Sequence, residues 1–393
     1  MTDRFDDTPT IDALVDEALA LGEGLGRPLR YVQINSVPNG STGGVMMRLH
    51  RDLAAKGIDS RVCWGRGRAA EDPSELNFGS KSGTYADAAL TRLDDRAGFH
   101  SRPATRRLLS FLDGFDPDVV HLHNLHGYYV NVEMLFSWLT SRSCQIRWTL
   151  HDCWAFTGHC PHFQYVRCDR WLSGCHGCPQ KRDYPSSLLL DSSERNWEEK
   201  RRIFTSVPLE RMTLISPSHW LAGLVGRSFL KDYPVKVHHN TVDRGVFKPT
   251  PSDFRKRYGI GDRFMILGVA SPWTERKGLG DFVRISGELD PCRFAIVLVG
   301  LSKKQIKALP DGVIGLERTS SAVELAGIYS AADVFFNPTR EDNFPTVNLE
   351  AKACGTAVVT YNTGGCSETI NQSSNCIETL QQFINIAKSH IND

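Results

Sequence analysis

Short runs of apolar residues without polar alternation recur along this 393-residue sequence, and helix-like patterns separate them. Such runs are typical of parallel β-strands buried on both faces, and the alternation of strand and helix is typical of doubly wound α/β sheets. The runs fall into two groups, which predicts two α/β domains in tandem. The first group is RYVQIN (30–35), SRVCWG (60–65), DVVHLHN (118–124), IRWTLHD (146–152) and TLISPS (213–218), and the second is FMILGVA (264–270), FAIVLVG (294–300), DVFFNP (333–338) and TAVVTY (356–361).

The boundary between the two groups is predicted in the polar, proline-containing stretch VKVHHNTVDRGVFKPTPSDF. We therefore expect an N-terminal domain over residues 1–246 and a C-terminal domain over residues 247–393. The length of the chain agrees with two domains, each large enough to bury its own core.

The charge balance excludes some classes of partner. The chain has 46 basic and 45 acidic residues, for a net charge of +1, so it has no basic footprint for nucleic acid. No apolar run reaches the ~20 residues that a membrane span needs, and the first 20 residues are acidic, unlike a secretory signal. A cytoplasmic protein is expected.

Two carboxylates stand at a fixed interval in TREDNFPTVNLEAKACGTAVV, residues 339–359. Asp342 follows a predicted strand, and Glu350 lies inside a predicted helix that has Pro345 in its first turn and Gly355 as its C-terminal cap. Ligands of open α/β sheets gather at the carboxyl ends of strands, where helix N-termini attract anions. Taken alone, the two acids would more often be a helix cap and a solvated side chain.

Other polar residues follow the predicted strands in the same way. In NGSTGGVMMRL, Gly43 and Gly44 open a helix, where glycine either admits a ligand close to the backbone or makes a tight turn. His151 ends the run IRWTLHD, and Lys277 follows the run FMILGVA. A lone histidine is more often structural, and a lone lysine is usually a solvated charge.

The segment DNFPTVNLEAKACGTAVV followed by TGGCSE resembles the acid-x7-Glu motif of glycosyltransferase family 4, whose members are retaining enzymes of the GT-B fold. The resemblance runs from about residue 29 to residue 370 and implies two Rossmann-like, doubly wound parallel-sheet domains that face a cleft. The supporting pieces occur in the expected order: NGSTGGVMMRLHRDLAAKG, PDVVHLHN, TLHD, ISPSHW, HNTVDRGVFKP and ERKG.

The resemblance also implies roles for four catalytic residues. Glu350 is expected to accept hydrogen bonds from the ribose hydroxyls of the donor nucleotide, and Asp342 is expected near the sugar ring. Lys277 is expected to neutralise the leaving diphosphate, and His151 to contact the donor sugar. The other donor-binding residues implied are Gly43, Gly44, Arg276, Asn343, Phe344 and Thr346. Relatives commonly carry an arginine at the position of Pro272, and Arg276 is the candidate to replace it.

The implied reaction moves a sugar from a nucleoside-diphosphate sugar to a hydroxyl of a glycan or polyprenyl-linked glycan, in cell-surface polysaccharide biosynthesis. No metal is expected for the chemistry. A lipid-carried acceptor would place the protein peripherally at the inner face of the membrane. The alternative is a non-catalytic sugar-nucleotide-binding or scaffold protein with the same fold, which Pro272 and the shorter Asp342 leave open.

The chain has eleven cysteines, an odd number, which would be unusual as a disulfide framework in a reducing compartment. Cys160, Cys168, Cys175 and Cys178 lie in a Cys-rich insert, residues 153–180, with the spacing C-x7-C-x6-C-x2-C. The C-x2-C end is what a metal knuckle uses, so a structural zinc site is one interpretation; free thiols and a regulatory disulfide are the others. The insert resembles one found in bacterial exopolysaccharide and colanic-acid-type transferases.

Overall fold

The structure is a computed structural model that describes residues 8–370 and 372–392. It divides into an N-terminal domain, Thr8–Asn240, and a C-terminal domain that begins at Thr241. The predicted boundary, after residue 246, lies in the same connecting segment, between the last strand of the first sheet and the first helix of the second domain. Residues 1–7, 371 and 393, which the predicted domains include, lie outside the described residues.

The N-terminal domain is built on one parallel sheet. Its strands are β1 (Arg30–Asn35), β2 (Asp59–Trp64), β3 (Glu75–Asn77), β4 (Val119–Leu122), β5 (Gln145–Thr149), β6 (Met212–Ser216) and β7 (Val235–Val237). Their order across the sheet is β3-β2-β1-β4-β5-β6-β7. Every residue of β4 is buried. The central strands therefore need apolar side chains on both faces, which explains the absence of alternation in the sequence.

Helices connect these strands and cover the sheet. They are α1 (Ala13–Gly22), α2 (Gly40–Ala55), α3 (Lys81–Asp94), α4 (Arg102–Phe115), α5 (Val132–Ser141), α6 (Ser193–Phe204) and α7 (His219–Val225). Several begin at a side chain that accepts a hydrogen bond from the first turn: Ser80 for α3, Asn131 for α5 and Ser218 for α7. Such caps satisfy backbone donors that a helix start leaves without an intrahelical partner.

The C-terminal domain repeats this architecture with six parallel strands in the order β10-β9-β8-β11-β12-β13. The strands are β8 (Phe264–Val269), β9 (Phe294–Val299), β10 (Val313–Leu316), β11 (Val334–Asn337), β12 (Ala357–Tyr361) and β13 (Cys376–Ile377). The helices are α8 (Phe254–Arg257), α9 (Leu279–Glu288), α10 (Lys303–Lys307), α11 (Ala322–Ala331), α12 (Thr346–Ala353) and α13 (Leu380–Asn392).

Both sheets have a point at which the strand order reverses. In the N-terminal domain β1 lies between β2 and β4, and in the C-terminal domain β8 lies between β9 and β11. Open α/β sheets bind ligands at the carboxyl ends of the strands beside such a point, because the loops on its two sides diverge and leave a crevice. The topology thus indicates where each domain would hold a ligand.

The prediction of two doubly wound α/β domains is confirmed. All nine predicted runs are strands, but four strands lie outside those runs: β3, β7, β10 and β13. Each lies at the edge of its sheet and is short, and β3 and β10 are only half-buried along their whole length. An edge strand has one neighbour and less burial, so it does not need the continuous apolar run that marks a central strand.

The Cys-rich insert leaves β5 and returns to α6 with little regular structure, apart from two short 3-10 turns, Trp154–Phe156 and Arg170–Leu172. Lys200 of α6 anchors its start. The ammonium, which is fully buried, donates to the carbonyls of Trp154 at 2.9 Å and Thr157 at 3.0 Å, and it lies 3.3 Å from the centre of the Trp154 ring. Burial lowers the pKa of Lys200 to about 7.

Replacing Lys200 should therefore destabilise the N-terminal domain. Lys200→Ala leaves two buried carbonyls without their donor and opens a cavity, which should lower the free energy of unfolding by about 2 to 5 kcal/mol. Urea denaturation measures this, and Lys231→Ala, at an exposed lysine of the same domain, is the matched control. Equal midpoints for the two variants would show that the anchor contributes nothing.

Candidate functional site

The carboxyl edge of the N-terminal sheet carries a row of histidines. His121 in β4 stacks on His123, with ring centres 4.3 Å apart, and His123 stacks on His151 at 5.3 Å. His151 lies two residues beyond β5, so it belongs to the loop and not, as predicted, to the end of the strand. Its Nε2 atom is 3.0 Å from Nδ1 of His123.

All three histidines are kept neutral. Burial lowers the pKa of His121 and of His123 well below its usual value. Burial also lowers the pKa of His151 to about 4, although the carboxylate of Asp152 opposes the shift. Near pH 7 each ring therefore has one N–H and one nitrogen with a lone pair.

The hydrogen bonds behind His151 determine which of its nitrogens holds the proton. Gln33 in β1 donates from Nε2 to the carbonyl of Met46 at 3.3 Å, which directs its Oε1 at Nε2 of His123, 3.2 Å away. Nε2 of His123 must then be the donor, and Nδ1 of His123 accepts from Nε2–H of His151. This chain leaves a lone pair on Nδ1 of His151, which makes that atom a hydrogen-bond acceptor.

A second polar group lies beside this row. Nε2 of His126 is 2.7 Å from Oδ2 of Asp152, and Nδ1 of His126 is 2.9 Å from the hydroxyl of Tyr184. Burial alone would raise the pKa of Asp152, but the charge and hydrogen bond of His126 lower it to about 2. The carboxylate next to His151 therefore stays ionised.

The two predicted glycines differ in what surrounds them. A Cβ atom on Gly43 would lie 2.5 Å from the carbonyl carbon of Pro38, so the turn into α2 requires glycine there. A Cβ atom on Gly44 would have no atom within 4 Å, and Gly44 is exposed. Gly43 is thus explained by packing, whereas Gly44 leaves space beside the start of the helix.

In the C-terminal domain the structure brings two of the predicted catalytic residues together. Lys277 ends a 3-10 turn between β8 and α9, and Asp342 lies in the loop between β11 and α12. Their Nζ and Oδ2 atoms are 2.6 Å apart, with the side chains 24% and 20% exposed. Each is open enough to reach a ligand and close enough to orient the other.

The motif loop, residues 338–345, is held by the segment TGG that follows β12. Gly364 has a φ of +57°, and a Cβ atom there would lie 1.9 Å from the carbonyl oxygen of Asp342. The N–H of Gly365 donates to that same oxygen at 3.1 Å, and the hydroxyl of Thr363 donates to the carbonyl of Thr339 at 2.9 Å. Only glycine permits this approach, so the segment positions the backbone of Asp342.

Two arginines brace the same loop. Nη1 of Arg276 donates to the carbonyl of Glu341 at 3.2 Å, and its Nε atom is 3.7 Å from the Glu341 carboxylate. Arg340 forms a bidentate pair with Asp281, with both oxygens within 2.9 Å of Nη2. The predicted donor-binding residue Arg276 thus lies against the motif loop, where its charge faces Glu341.

Of the two residues that precede this turn, Pro272 is exposed and Trp273 belongs to the interior. Trp273 is buried, donates from Nε1 to the carbonyl of Val299 at 2.9 Å, and packs edge-on against Phe282. Trp273 is therefore a core residue.

Glu350 lies in the second turn of α12 and accepts a hydrogen bond of 3.0 Å from the hydroxyl of Tyr329 in α11. Burial raises the pKa of Glu350 to about 7, while the bond from Tyr329 opposes the shift. A carboxylate has about four acceptor positions, so the bond from Tyr329 leaves capacity for two ribose hydroxyls.

The start of α12 differs slightly from the prediction. Pro345 is the N-cap, with φ −66° and ψ 110°, and not part of the first turn; the helix begins at Thr346 without a side-chain cap. Asn343 and Phe344 are buried in the turn that precedes it. Gly355 has a φ of +84° just after the helix, so the predicted C-terminal glycine is confirmed.

The four cysteines predicted as zinc ligands line one cavity of about 10 Å³, enough for a single water-sized group. None of the chain's cysteines forms a disulfide. The N–H of Gly158 donates to Sγ of Cys175 at 3.1 Å. Positive φ values occur at Gly174, just before the C-x2-C end, and at Gly177, inside it. His159 and His176 also line the cavity.

These residues fit a zinc ion in donor chemistry, since thiolate and imidazole are its preferred ligands. Among the described residues of the insert, no three possible ligand atoms lie within 4.8 Å of one another. A bound ion would therefore have to draw the sulfur atoms closer together.

Several residues of the site were not predicted. Gln33 was detectable, because it is a polar residue inside the apolar run RYVQIN and a buried strand position rarely holds one without a partner. Tyr329 and Asp281 give no such signal, since each acts through a partner distant in sequence, Glu350 and Arg340 respectively.

Comparison with known proteins shows which families and folds this chain is similar to. Residues 263–388 match the family model described as glycosyl transferases group 1. Over 212 residues the chain is 27% identical to the colanic acid biosynthesis glycosyl transferase WcaC of Escherichia coli, covering 49% of this chain and 50% of that protein. Over 285 residues it is 32% identical to the D-inositol 3-phosphate glycosyltransferase of Corynebacterium jeikeium, covering 66% and 60%.

The chain thus spans about half the length of the curated relatives it matches. Among solved structures, Anabaena HepE in complex with UDP and glucose aligns with a TM-score of 0.59 at 16% identity, covering 93% of this chain and 90% of that one. At this identity the likeness shows the fold. The chain has the GT-B fold, and residues 263–388 of its C-terminal domain match the glycosyl transferases group 1 family.

Proposed function

We propose that the protein is a retaining glycosyltransferase that moves a sugar from a nucleoside-diphosphate sugar to a hydroxyl of an acceptor. The observation that carries the proposal is the arrangement in the C-terminal domain, where Lys277 pairs with Asp342 and the buried carboxylate of Glu350 lies in the helix that follows. The group 1 family match supports it, as does the likeness to HepE, whose structure contains UDP and glucose.

In this proposal the C-terminal domain binds the nucleotide. Glu350 accepts hydrogen bonds from the ribose hydroxyls, and the start of α12 and the ammonium of Lys277 attract the phosphates. Asp342 orients Lys277 and lies near the sugar ring. The loop that receives the phosphates is shaped by the side-chain charge of Arg276 and by the backbone of Asn343, Phe344 and Thr346.

In the N-terminal domain we assign His151 to a hydroxyl of the donor sugar. Its Nδ1 atom carries the lone pair that the chain through His123 and Gln33 leaves there, so a hydroxyl donates to it. Because burial keeps His151 neutral, it can accept this hydrogen bond without adding a positive charge beside the sugar. Gly44 leaves space at the start of α2 for a ligand to approach the backbone.

The chemical step exchanges one bond at the anomeric carbon for another on the same face. The bond to the phosphate oxygen breaks, the bond to the acceptor oxygen forms, and the acceptor proton passes to the departing diphosphate. The protein stabilises the charge that grows on the leaving group, chiefly through Lys277. No residue is needed as a nucleophile, and we propose that no metal takes part in this step.

The acceptor proposed is a glycan or a polyprenyl-linked glycan in cell-surface polysaccharide biosynthesis. This extends to the chain what the name of WcaC, colanic acid biosynthesis, says of that protein. None of the helices among residues 8–370 and 372–392 is long and apolar enough to cross a bilayer. We propose a cytoplasmic protein that works peripherally at the inner face of the membrane.

We further propose that Cys160, Cys168, Cys175 and Cys178 hold a structural zinc ion. The support is their common cavity, the left-handed glycines around the C-x2-C end and the N–H···S bond to Cys175. When bound, zinc would cross-link an insert that has little secondary structure of its own.

Glu350→Gln should weaken donor binding by about 1.5 to 3 kcal/mol, roughly 10- to 100-fold in Kd, because an amide group replaces a charged acceptor of the ribose hydroxyls. Donor affinity of the unchanged protein should also fall as pH drops from 8 to 6, because protonation of a group with a pKa of about 7 removes the charged acceptor. Calorimetric titration with UDP, GDP, ADP and their sugars measures both effects.

The matched control is Glu288→Gln, at the end of α9, where the carboxylate pairs with Arg284 on the surface. It should leave donor affinity and its pH dependence unchanged. If Glu350→Gln binds every nucleotide as well as the unchanged protein does, Glu350 does not hold the ribose.

Lys277→Ala should lower kcat by about 100- to 1,000-fold, since it removes a charge that stabilises the leaving diphosphate. The melting temperature should hardly change, because the side chain is partly exposed and its partner Asp342 can be solvated. Lys303→Ala, on the exposed start of α10, is the control for the loss of a lysine.

Equal turnover at saturating donor would remove Lys277 from the mechanism. Donor binding by the unchanged protein without transfer to any glycan or lipid-linked glycan would instead favour the non-catalytic alternative.

If the zinc proposal is correct, the purified protein should contain about one zinc per chain, and Cys175→Ser should lose it while both sheets stay folded. Elemental analysis and circular dichroism measure these. Cys292→Ser, at an exposed cysteine of the C-terminal domain, should keep the metal. Metal-free protein with full activity and four titratable thiols in the insert would refute the site.

A further inference from the structure

Helix α3 exposes three large apolar residues and buries two polar ones. Tyr85, Leu90 and Leu93 are 75%, 46% and 50% exposed, whereas Asp87 and Thr91 are buried. Tyr85, Ala89 and Leu93 are spaced by four residues and share one face of the helix, and Ala86 and Leu90 adjoin them. We call these five residues the apolar stripe. A helix that served only the core would show the opposite arrangement.

Hydrogen bonds to Asp87 help to hold the inner face of α3, where Ala88 is also buried. The carboxylate of Asp87 accepts from the hydroxyl of Thr91 at 3.2 Å and from the hydroxyl of Ser101. Burying a carboxylate is costly unless it is hydrogen-bonded. The hydrogen bonds to Asp87 therefore stabilise the inward orientation of this face. The stripe, which faces outward, contributes little to packing.

A second exposed apolar segment lies beside the stripe. Leu188, Leu189 and Leu190 are 59%, 65% and 58% exposed. The N–H of Leu188 donates to the carbonyl of Arg92 at 2.8 Å, and the N–H of Leu190 donates to the carbonyl of Leu93 at 3.1 Å. These bonds place the backbone of the leucine segment along the last turn of α3, so the three exposed leucines adjoin the stripe.

Basic residues border this surface. Lys81 and Arg92 follow the same edge of α3, at one side of the stripe, and both are exposed. Lys181 and the exposed Arg182 precede the leucine segment, and the ammonium of Lys181 donates to the carbonyl of Leu189 at 3.0 Å. Two of the nearby acids, Asp183 and Asp191, are exposed, and the Asp191 carboxylate accepts hydrogen bonds from the backbone of Cys178 and Ser193. Asp94 is half-buried beside His100.

We propose that the apolar stripe and the leucine segment dock the N-terminal domain onto a lipid bilayer with anionic headgroups. An exposed apolar surface of this kind marks an interaction site, and a helix that lies in a membrane interface combines apolar side chains with basic residues at their border. Anionic headgroups complement Lys81, Arg92 and Arg182, and tyrosine suits the boundary between lipid and water.

The inference deepens the proposed function, on which its biological meaning rests, because a lipid-carried acceptor is presented at such a surface. Binding to the bilayer itself is independent of catalysis. A second copy of this chain is the other occupant that an apolar surface could accept, and the experiment separates the two.

The test is flotation of the full chain with vesicles of phosphatidylcholine containing about one-third phosphatidylglycerol. The unchanged protein should float with them, and should bind vesicles of phosphatidylcholine alone more weakly. The double variant Leu90→Asp, Leu189→Asp should bind the mixed vesicles at least about tenfold more weakly, since two apolar contacts become charged. Leu209→Asp, at an equally exposed leucine of the same domain, should bind as the unchanged protein does.

Equal vesicle binding by the double variant and the unchanged protein would overturn the proposal. A second result would also overturn it. In that result, light scattering without lipid shows that the unchanged protein is a dimer and the double variant a monomer, and vesicles capture neither protein. Affinity for UDP, GDP or ADP should be the same in the double variant. Vesicle binding by a protein that binds none of these nucleotides would refute the proposed function and leave the docking surface standing.

Discussion

The structure depends on strands that are buried on both faces. In β9, for example, every residue is buried, so backbone groups can pair only with neighbouring strands and helices must cover both sides of the sheet. Polar side chains that reach a ligand are thereby restricted to the loops at the ends of the strands. Lys277 and Asp342 are 65 residues apart but meet at 2.6 Å, because β8 and β11, which precede them, are paired neighbours.

The same constraint sets the electrostatics of the candidate site. His123 and His151 follow the paired strands β4 and β5, and burial at that edge keeps both rings neutral. Burial raises the pKa of Glu350 to about 7, whereas Lys277 and Asp342 form a more open ion pair. The N-terminal domain thus offers a neutral acceptor, and the C-terminal domain offers a titratable carboxylate and a partly exposed ion pair; these groups differ because their burial differs.

The N-terminal domain departs from a plain doubly wound fold at two places, the Cys-rich insert and helix α3. The Cys-rich insert replaces regular structure with a cavity lined by thiols and an anchor at Lys200. Helix α3 turns its apolar side outward and is held by Asp87. Both features depart from the usual pattern of regular structure and buried apolar side chains, and polar contacts compensate for them. Such departures are expected where part of a protein serves a function besides folding.

The sequence by itself determined the two α/β domains, the central strands and the placement of Asp342, Glu350 and Lys277 after strands or within helices, because burial on both faces leaves a pattern that can be read along the chain. Tertiary structure alone decided the edge strands, which carry no such pattern, and the contacts of Gln33 with His123, Tyr329 with Glu350 and Gly364 with Asp342. It also decided which face of α3 meets solvent. The physical reason is that a strand's burial is recorded in its own residues, whereas a contact depends on which loops the sheet order brings side by side.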